Sequence, residues 1–273
     1  MSLVTTSDGP VELLESGRGT PVLILHGTPG GSDQALAAAH VLGLTATARV
    51  LAPSRPGYLG TPLSTGRTPA EQADAMVAVL DELGVESAAV LGASGGGMAA
   101  VALAARHPAR VRGLVLWSAV TAPMRIPVGP LLHGPLAWES TGAAMVRLVR
   151  RFPRLLVGRA THDPRSVEAA MAIAETVFPI GPRRDGLSND SRQARAFDPR
   201  LAARITAPTL IVHGTKDRNV AYTQATRAAQ SIPHAELFTV HGANHWTTMA
   251  DQDAQDALHR FLATVAAAEP HDR

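Results

Sequence analysis

The chain has no cysteine among its 273 residues. Disulfides, thiolate metal sites and cysteine nucleophiles are thereby excluded. Lysine is nearly missing as well: Lys216 is the only one, and arginine carries the rest of the positive charge. Basic and acidic side chains almost cancel, 25 against 23, for a formal net charge of +2. A nucleic-acid surface normally needs a clustered patch and a larger excess, so no such partner is expected. Charged residues are sparse at 18% and aromatics rare at 4%. Hydrophobic residues reach 45%, which argues for a packed core and against disorder. No stretch offers the roughly 20 consecutive apolar residues of a membrane span. The opening MSLVTTSDGPVELLESG has no basic region followed by an apolar run, so no signal peptide is read there. The expectation is a cytoplasmic protein without a membrane partner.

What the chain does have is a rhythm of short apolar runs. Residues 21–26 (PVLILH), 48–52 (ARVLA), 88–92 (AAVLG), 111–117 (VRGLVLW), 208–213 (PTLIVH) and 235–240 (AELFTV) read as strands. Most are continuous rather than alternating, as in strands covered on both faces. Between them lie alanine-rich segments with helical spacing. Residues 69–83 open with Pro69 and Glu71 and carry Ala73, Met76, Val77, Leu80 and Leu83 on one face. Residues 95–107 form a second helix, ended by Pro108. Residues 252–266 form a last one, with Ala254, Ala257, Leu258, Phe261, Leu262 and Val265 as its stripe. The pattern predicts an α/β fold with a mostly parallel sheet between helices.

The rhythm breaks after Ser118. Pro123, Pro127, Pro130 and Pro135 crowd together with Gly129 and Gly134. A helix is expected over 140–156, with Met145, Leu148, Val149, Phe152 and Leu156 on one side. Arg147, Arg150, Arg151 and Arg154 oppose them, and Pro153 interrupts. Another helix is expected over 166–177, and FPIGPRRDGLSND reads as turns. The predicted organisation is a core over 1–119 and 205–273, with a helical insertion over 120–204.

The stretch most charged with chemistry is VLGASGGGMAA, residues 90–100. Gly92 and Gly96 bracket Ser94 in a G-x-S-x-G pattern between a predicted strand and a predicted helix. Such a sharp turn pushes the serine outward, and flanking side chains would collide with the crossing helix. Free N–H groups at the helix start, that of Gly95 first, can hold a developing negative charge. An ordinary N-cap serine in a glycine-rich turn is the bland alternative. A nucleophilic Ser94 needs a base and an acid to orient it. His245, in HGANHW, lies beyond the run ending at Val240; His241 is the nearer rival. Asp217, in HGTKDRNV, follows the fifth run, with Asp251 and Asp253 as rivals. The order serine, aspartate, histidine is one of the known triad orders, and each candidate follows a strand.

Together these residues resemble the α/β-hydrolase family, over about 20–118 and 205–265. HGTPGG, from His26 to Gly31, is similar to the family's loop after a core strand. That likeness implies the Thr28 N–H as a second oxyanion donor beside Gly95, and a structural His26. SRPGYLGT, from Ser54 to Thr61, is similar to the family's D-R-P-G-x-G-x-S stretch, with Ser54 in place of the aspartate. The insertion resembles the family's helical cap. A serine at position 94 argues against the dehalogenase and epoxide hydrolase branches, which carry aspartate there. Gly95 departs from the aromatic of the proline-releasing peptidases, whose cap carboxylates Glu139, Glu168 or Glu175 would have to supply.

The function expected is a serine hydrolase that opens a carboxylic ester or lactone through Ser94, His245 and Asp217. Carbon–carbon bond hydrolysis, iminopeptidase activity, perhydrolysis and an inactive binding protein are the alternatives. No cofactor or metal is expected: the histidines show no H-E-x-x-H or comparable ligand pattern. The partner is a small-molecule substrate, and a homodimer stays open. The candidate pocket residues are His26, Met124, Trp138, Met145, Val149, Phe152, Phe178 and Trp246. One of the cap arginines is a candidate for attracting an acidic substrate.

Overall fold

Short runs of Val, Ile, Leu and Ala, free of turn formers, extend into strands whose two faces are both covered. The run AAVLGA is buried along its whole length, as is TLIVHG. The computed structural model describes residues 2–133, 139–152 and 163–268. Its eight strands are β1 (Ser2–Thr6), β2 (Gly9–Ser16), β3 (Pro21–Leu25), β4 (Arg49–Pro53), β5 (Ala88–Ala93), β6 (Val111–Trp117), β7 (Thr209–Gly214) and β8 (Ala235–Val240). They form one sheet in the order β1-β2-β4-β3-β5-β6-β7-β8. From β4 to β8 all neighbours are parallel; Leu23 of β3 sits between Leu51 of β4 and Val90 of β5. The antiparallel pair β1–β2 decorates one edge. This hairpin is an addition to the six runs expected. Its alternating, partly polar residues lack the continuous apolar signature of the inner strands.

Helices cover both faces. Helix α2 (Pro69–Glu82) opens with a capping box in which Thr68 and Glu71 satisfy each other's backbone N–H. With α3 (Gly97–Arg106) and the helix Tyr222–Ser231 it buries one apolar cluster, around Leu23, Val90 and Leu114. On the opposite face α1 (Ser32–Val41) and the helix Gln252–Ala267 bury a second, around Ile24, Leu91 and Val115. Asp251 caps the last helix by accepting from the Ala254 N–H at 2.9 Å, and Asp253 is exposed. Both rivals of Asp217 are thereby accounted for.

Between β6 and β7 the chain builds the helices Gly129–His133, Glu139–Arg151, Pro164–Glu175 and Arg184–Ala196. Pro153, Arg154 and Leu156 lie outside the described residues. The stretch read as turns, FPIGPRRDGLSND, is instead a short 3-10 turn, Gly181–Arg183, running into the helix Arg184–Ala196. That helix buries Gly186, Leu187, Asn189, Asp190, Ser191 and Ala194, a mostly polar face. With only Leu187 and Ala194 apolar on that face, the hydrophobic period is weak, which is why the sequence hides it. Among the described residues no helix is long and apolar enough to cross a membrane.

Candidate active site

The C-terminal ends of the parallel strands share one edge of the sheet, and the loops that leave them converge there. Ser94 leaves β5 with φ at +48°, a left-handed conformation that few non-glycine residues adopt. Close packing enforces the turn. A Cβ on Gly92 would come within 2.5 Å of the Ala100 Cβ, and one on Gly96 within 2.1 Å of the Leu25 carbonyl oxygen. The helix can therefore cross the strands only where side chains are missing.

The structure brings Ser94, His245 and Asp217 into one hydrogen-bonded chain. Ser94 Oγ lies 3.1 Å from His245 Nε2, and His245 Nδ1 lies 2.7 Å from Asp217 Oδ2. With Nδ1–H donating to the carboxylate, Nε2 is left to accept from the serine hydroxyl. Asp217 Oδ1 accepts from the N–H groups of Asn219 at 2.8 Å and Val220 at 2.9 Å. Burial alone would raise the Asp217 carboxyl. Hydrogen bonds from His213, His245 and Val220 outweigh it and hold the group well below the usual carboxylate range. His213 is buried, with Nε2 3.3 Å from Asp217 Oδ2 and 2.9 Å from the Val220 carbonyl oxygen. His241 is exposed just past the end of β8.

His26 is 1% exposed. Its Nδ1–H donates to the Gly27 carbonyl at 2.8 Å, and its Nε2 accepts from the Arg55 N–H at 2.9 Å. Burial, then the charges of Arg55 and Arg183, lower its pKa well below that of a free imidazole. A neutral ring is the one that can both donate and accept here, so His26 ties two loops together.

Three contributors escaped the sequence. Asp190, from the helix Arg184–Ala196, receives Arg55 Nη2 at 2.6 Å, Arg55 Nη1 at 3.0 Å and the Tyr58 hydroxyl at 2.6 Å. The Thr28 hydroxyl also donates to it. Both members of the Arg55–Asp190 pair are 1% exposed. Burial, and next the Asp190 charge, push the Tyr58 phenol well up. Arg183, from the same insertion, donates to the Gly30 carbonyl at 3.0 Å and to Asp33 at 2.6 Å. Glu12 of β2 supplies the carboxylate that position 54 lacks. Its Oε1 accepts from Ser32 Oγ at 2.6 Å and Ser54 Oγ at 3.0 Å, and its Oε2 from the Gly60 N–H at 3.0 Å. Their partners stand far off in the chain, so no local motif signals them.

Thr28, Gly95, Ser94 and His245 open on a cavity of about 530 Å³. Of the expected pocket residues, His26, Met124 and Trp246 line it. Met145 and Phe178 line a neighbouring apolar cavity of about 200 Å³, which shares Val177 and Trp246 with the first. Phe152 lines neither: it is 52% exposed, beneath the Arg151 guanidinium. Gly142, Met145 and Val146 form the inward side of the helix Glu139–Arg151, Gly142 lying against Phe178. At roughly 100° per residue, Leu148 falls more than a quarter turn from the centre of that side, and Phe152 lies one residue past the helix end at Arg151. Trp138 and the side chain of Val149 lie outside the described residues.

Of the arginine stripe, Arg147, Arg150 and Arg151 do not line the cavity. Arg147 donates to the Ala143 carbonyl at 3.3 Å, and Arg150 pairs with Glu175 at 2.7 Å, both at the surface. Among the described residues the cations that line it are Arg125, from the loop after β6, and Arg218, next to Asp217, and no carboxylate side chain joins them in the lining. Glu168 is exposed. Among the described residues no group of three or more His, Asp or Glu side chains is arranged to hold a metal ion.

Comparison with known proteins agrees with this architecture. The Alpha/beta hydrolase family matches residues 22–260. A 2-hydroxymuconate semialdehyde hydrolase from Pseudomonas putida is 32% identical over 263 residues, covering 93% of this chain and 91% of the relative. A 2-hydroxy-6-oxononadienedioate/2-hydroxy-6-oxononatrienedioate hydrolase from Cupriavidus pinatubonensis is 31% identical, covering 89% and 88%. Among solved structures, an alpha/beta hydrolase fold protein from Nakamurella multipartita superimposes with a TM-score of 0.82 at 34% identity, over 97% of this chain and 99% of that one.

Proposed function

This chain belongs to the α/β-hydrolase family and is a hydrolase, and from that premise we propose that it is a serine hydrolase acting on a small carboxylic ester or lactone. The observation that carries the reading is the chain Ser94 Oγ–His245–Asp217, at 3.1 Å and 2.7 Å, facing a largely apolar cavity. In this reading His245 Nε2 takes the Ser94 hydroxyl proton while Oγ bonds to the substrate carbonyl carbon. The carbonyl electrons move to oxygen, and the N–H groups of Thr28 and Gly95 hold that oxyanion. As the acyl–oxygen bond breaks, the leaving oxygen takes the proton from His245. Water then repeats the sequence on the acyl-enzyme and frees Ser94. Asp217 stays ionised throughout, orients the ring and offsets its charge. The depressed carboxyl of Asp217 is consistent with that role. The helices between β6 and β7 act as a cap that sets the acyl and leaving groups accepted.

A second reading is favoured by one observation. The two relatives above, at 32% and 31% identity along most of both chains, hydrolyse 2-hydroxymuconate semialdehyde and 2-hydroxy-6-oxo dioic acids by name. The same serine chain would then cleave a carbon–carbon bond beside a carbonyl. For the iminopeptidase alternative, no carboxylate side chain among the described residues lines the cavity of Ser94; Glu175 lines the neighbouring one, and the side chain of Glu139 lies outside the described residues.

Labelling with a fluorophosphonate, followed by peptide mass mapping, tests the serine. The expected result is one adduct on Ser94 that disappears in His245→Ala. Absence of both an adduct and hydrolysis of p-nitrophenyl acetate would remove the reading. Turnover of short esters and lactones supports the first substrate class; turnover of 2-hydroxymuconate semialdehyde with esters untouched supports the second.

A further inference from the structure

We infer that Asp190 is a positioning residue for the oxyanion hole: it acts through the Thr28 hydroxyl, and position 95 is glycine because that hydroxyl occupies the space a side chain would need. The inference rests on the serine-hydrolase reading above and adds a residue of the cap to its machinery.

Thr28 is the residue whose backbone N–H serves as one donor to the oxyanion. Its hydroxyl donates to Asp190 Oδ2, an ionised acceptor that binds more strongly than a neutral one. A threonine side chain has three staggered positions at χ1, and this bond selects one. With the rotamer selected and Oγ1 tethered to a fixed acceptor, Cβ and the Thr28 backbone it hangs from are restrained in turn. The acceptor is itself held still. Asp190 takes three further bonds from Arg55 and Tyr58, at 2.6, 3.0 and 2.6 Å. Arg55 in turn donates from Nε to the His26 carbonyl at 3.0 Å, one residue before the loop that bears Thr28. No freedom is left in the acceptor for the hydroxyl to follow.

Gly95 supplies the second, independent observation. A Cβ at position 95 would lie 2.0 Å from Thr28 Oγ1 and 3.5 Å from Asp190 Oδ2. The two residues that furnish the oxyanion donors thus meet at this hydroxyl. Oxyanion stabilisation depends on donors fixed before charge develops, so a loosened Thr28 should slow turnover without weakening ground-state binding. A purely structural role for Asp190, as the counter-charge of Arg55, predicts no such effect from Thr28.

The test separates the two because Thr28 uses only one of the four bonds on Asp190. Thr28→Val removes the hydroxyl, keeps the shape and leaves Arg55 and Tyr58 on the carboxylate. Thr28→Ser keeps the hydroxyl. With p-nitrophenyl acetate and the full chain, kcat of Thr28→Val should fall by about tenfold or more while KM stays within about twofold. Thr28→Ser should recover most of that loss, and Gly95→Ala should show the same drop in kcat. Wild-type kcat in Thr28→Val, or an equal loss in the valine and serine variants, overturns the inference. Where Asp190→Asn folds, its loss should not add to that of Thr28→Val in the double variant; additive losses overturn the coupling. Where it does not fold, the Thr28 pair decides alone. A wild type that neither turns over the ester nor takes up a fluorophosphonate removes the serine-hydrolase reading, and this inference falls with it.

Discussion

Two arginine-rich helices stand in the same insertion and meet opposite fates. Glu139–Arg151 has the stronger hydrophobic stripe, yet Leu148 is 43% exposed, and Arg150 and Arg151 lie at the surface. Arg184–Ala196 has hardly any stripe, yet it places Asp190 in the buried centre of three loops. The difference shows how much of the hold between this insertion and the core is polar: hydrogen bonds and two charge pairs, Arg55–Asp190 and Arg183–Asp33, act beside the apolar contacts of Ala194 and Phe197. Such a polar contact is directional. It fixes where a helix sits, whereas an apolar stripe fixes only which side faces inward.

The comparison breaks first at Arg55. Replacing it with methionine leaves the Asp190 charge buried without its counter-ion, and stability to urea at neutral pH should fall by about 3–5 kcal/mol. Alanine in place of Arg150 should leave the urea midpoint within error, since its partner Glu175 is also at the surface. Equal losses at the two arginines would erase the distinction. The next largest effect lies at Gly186, where a Cβ would meet the Tyr58 ring at 2.3 Å. Gly186→Ala should cost about 1–3 kcal/mol by overpacking, although alanine favours helix. A neutral or stabilising result would mean that this helix rides loosely on the core.

Substrate charge sharpens the contrast further. If the cavity receives an anion, Arg125→Ala or Arg218→Ala should raise KM for a carboxylate-bearing p-nitrophenyl ester by about five- to tenfold. Arg147→Ala and Arg151→Ala should leave it unchanged. Rates measured with and without added salt check the assignment, because the steering term is screened. The smallest effect is at Glu175, whose carboxyl is lowered by its hydrogen bond from Arg150. A depressed folded value means that any stability it adds is complete above the unfolded value, about 4.3, and is lost as pH falls through the folded one. Exposure screens the pair, so acid denaturation curves of wild type and Arg150→Ala should coincide.

The same contrast explains what was legible in the sequence. The inner strands and α2 announce themselves because their signals are local: continuous apolar runs, a capping box, a helical period. Ser94, Asp217 and His245 stand out because each follows such a run, and the turn at Ser94 needs glycines written beside it. His26 and Thr28 come from the likeness of HGTPGG to a known loop. Asp190 and Glu12 could not be read this way. Asp190 meets Arg55 across 135 residues, and Glu12 meets Ser54 across 42. A carboxylate in a polar helix looks solvated until its partners are known. The stripe at Met145 was visible, but not its rotation, which depends on where Phe178 lies.

The carboxylate of Glu12 has a practical side for anyone wishing to harden this protein. Aligning it with its family suggests restoring an aspartate at position 54, the sort of consensus change that often raises a melting temperature. Here the vacancy is already filled from the edge hairpin. Ser54 is fully buried and its hydroxyl lies 3.0 Å from Glu12 Oε1. A second carboxylate would face the first across that gap, and one of them would have to take up a proton to stay. Consensus engineering at this position therefore has to change residues 12 and 54 together, or leave both alone.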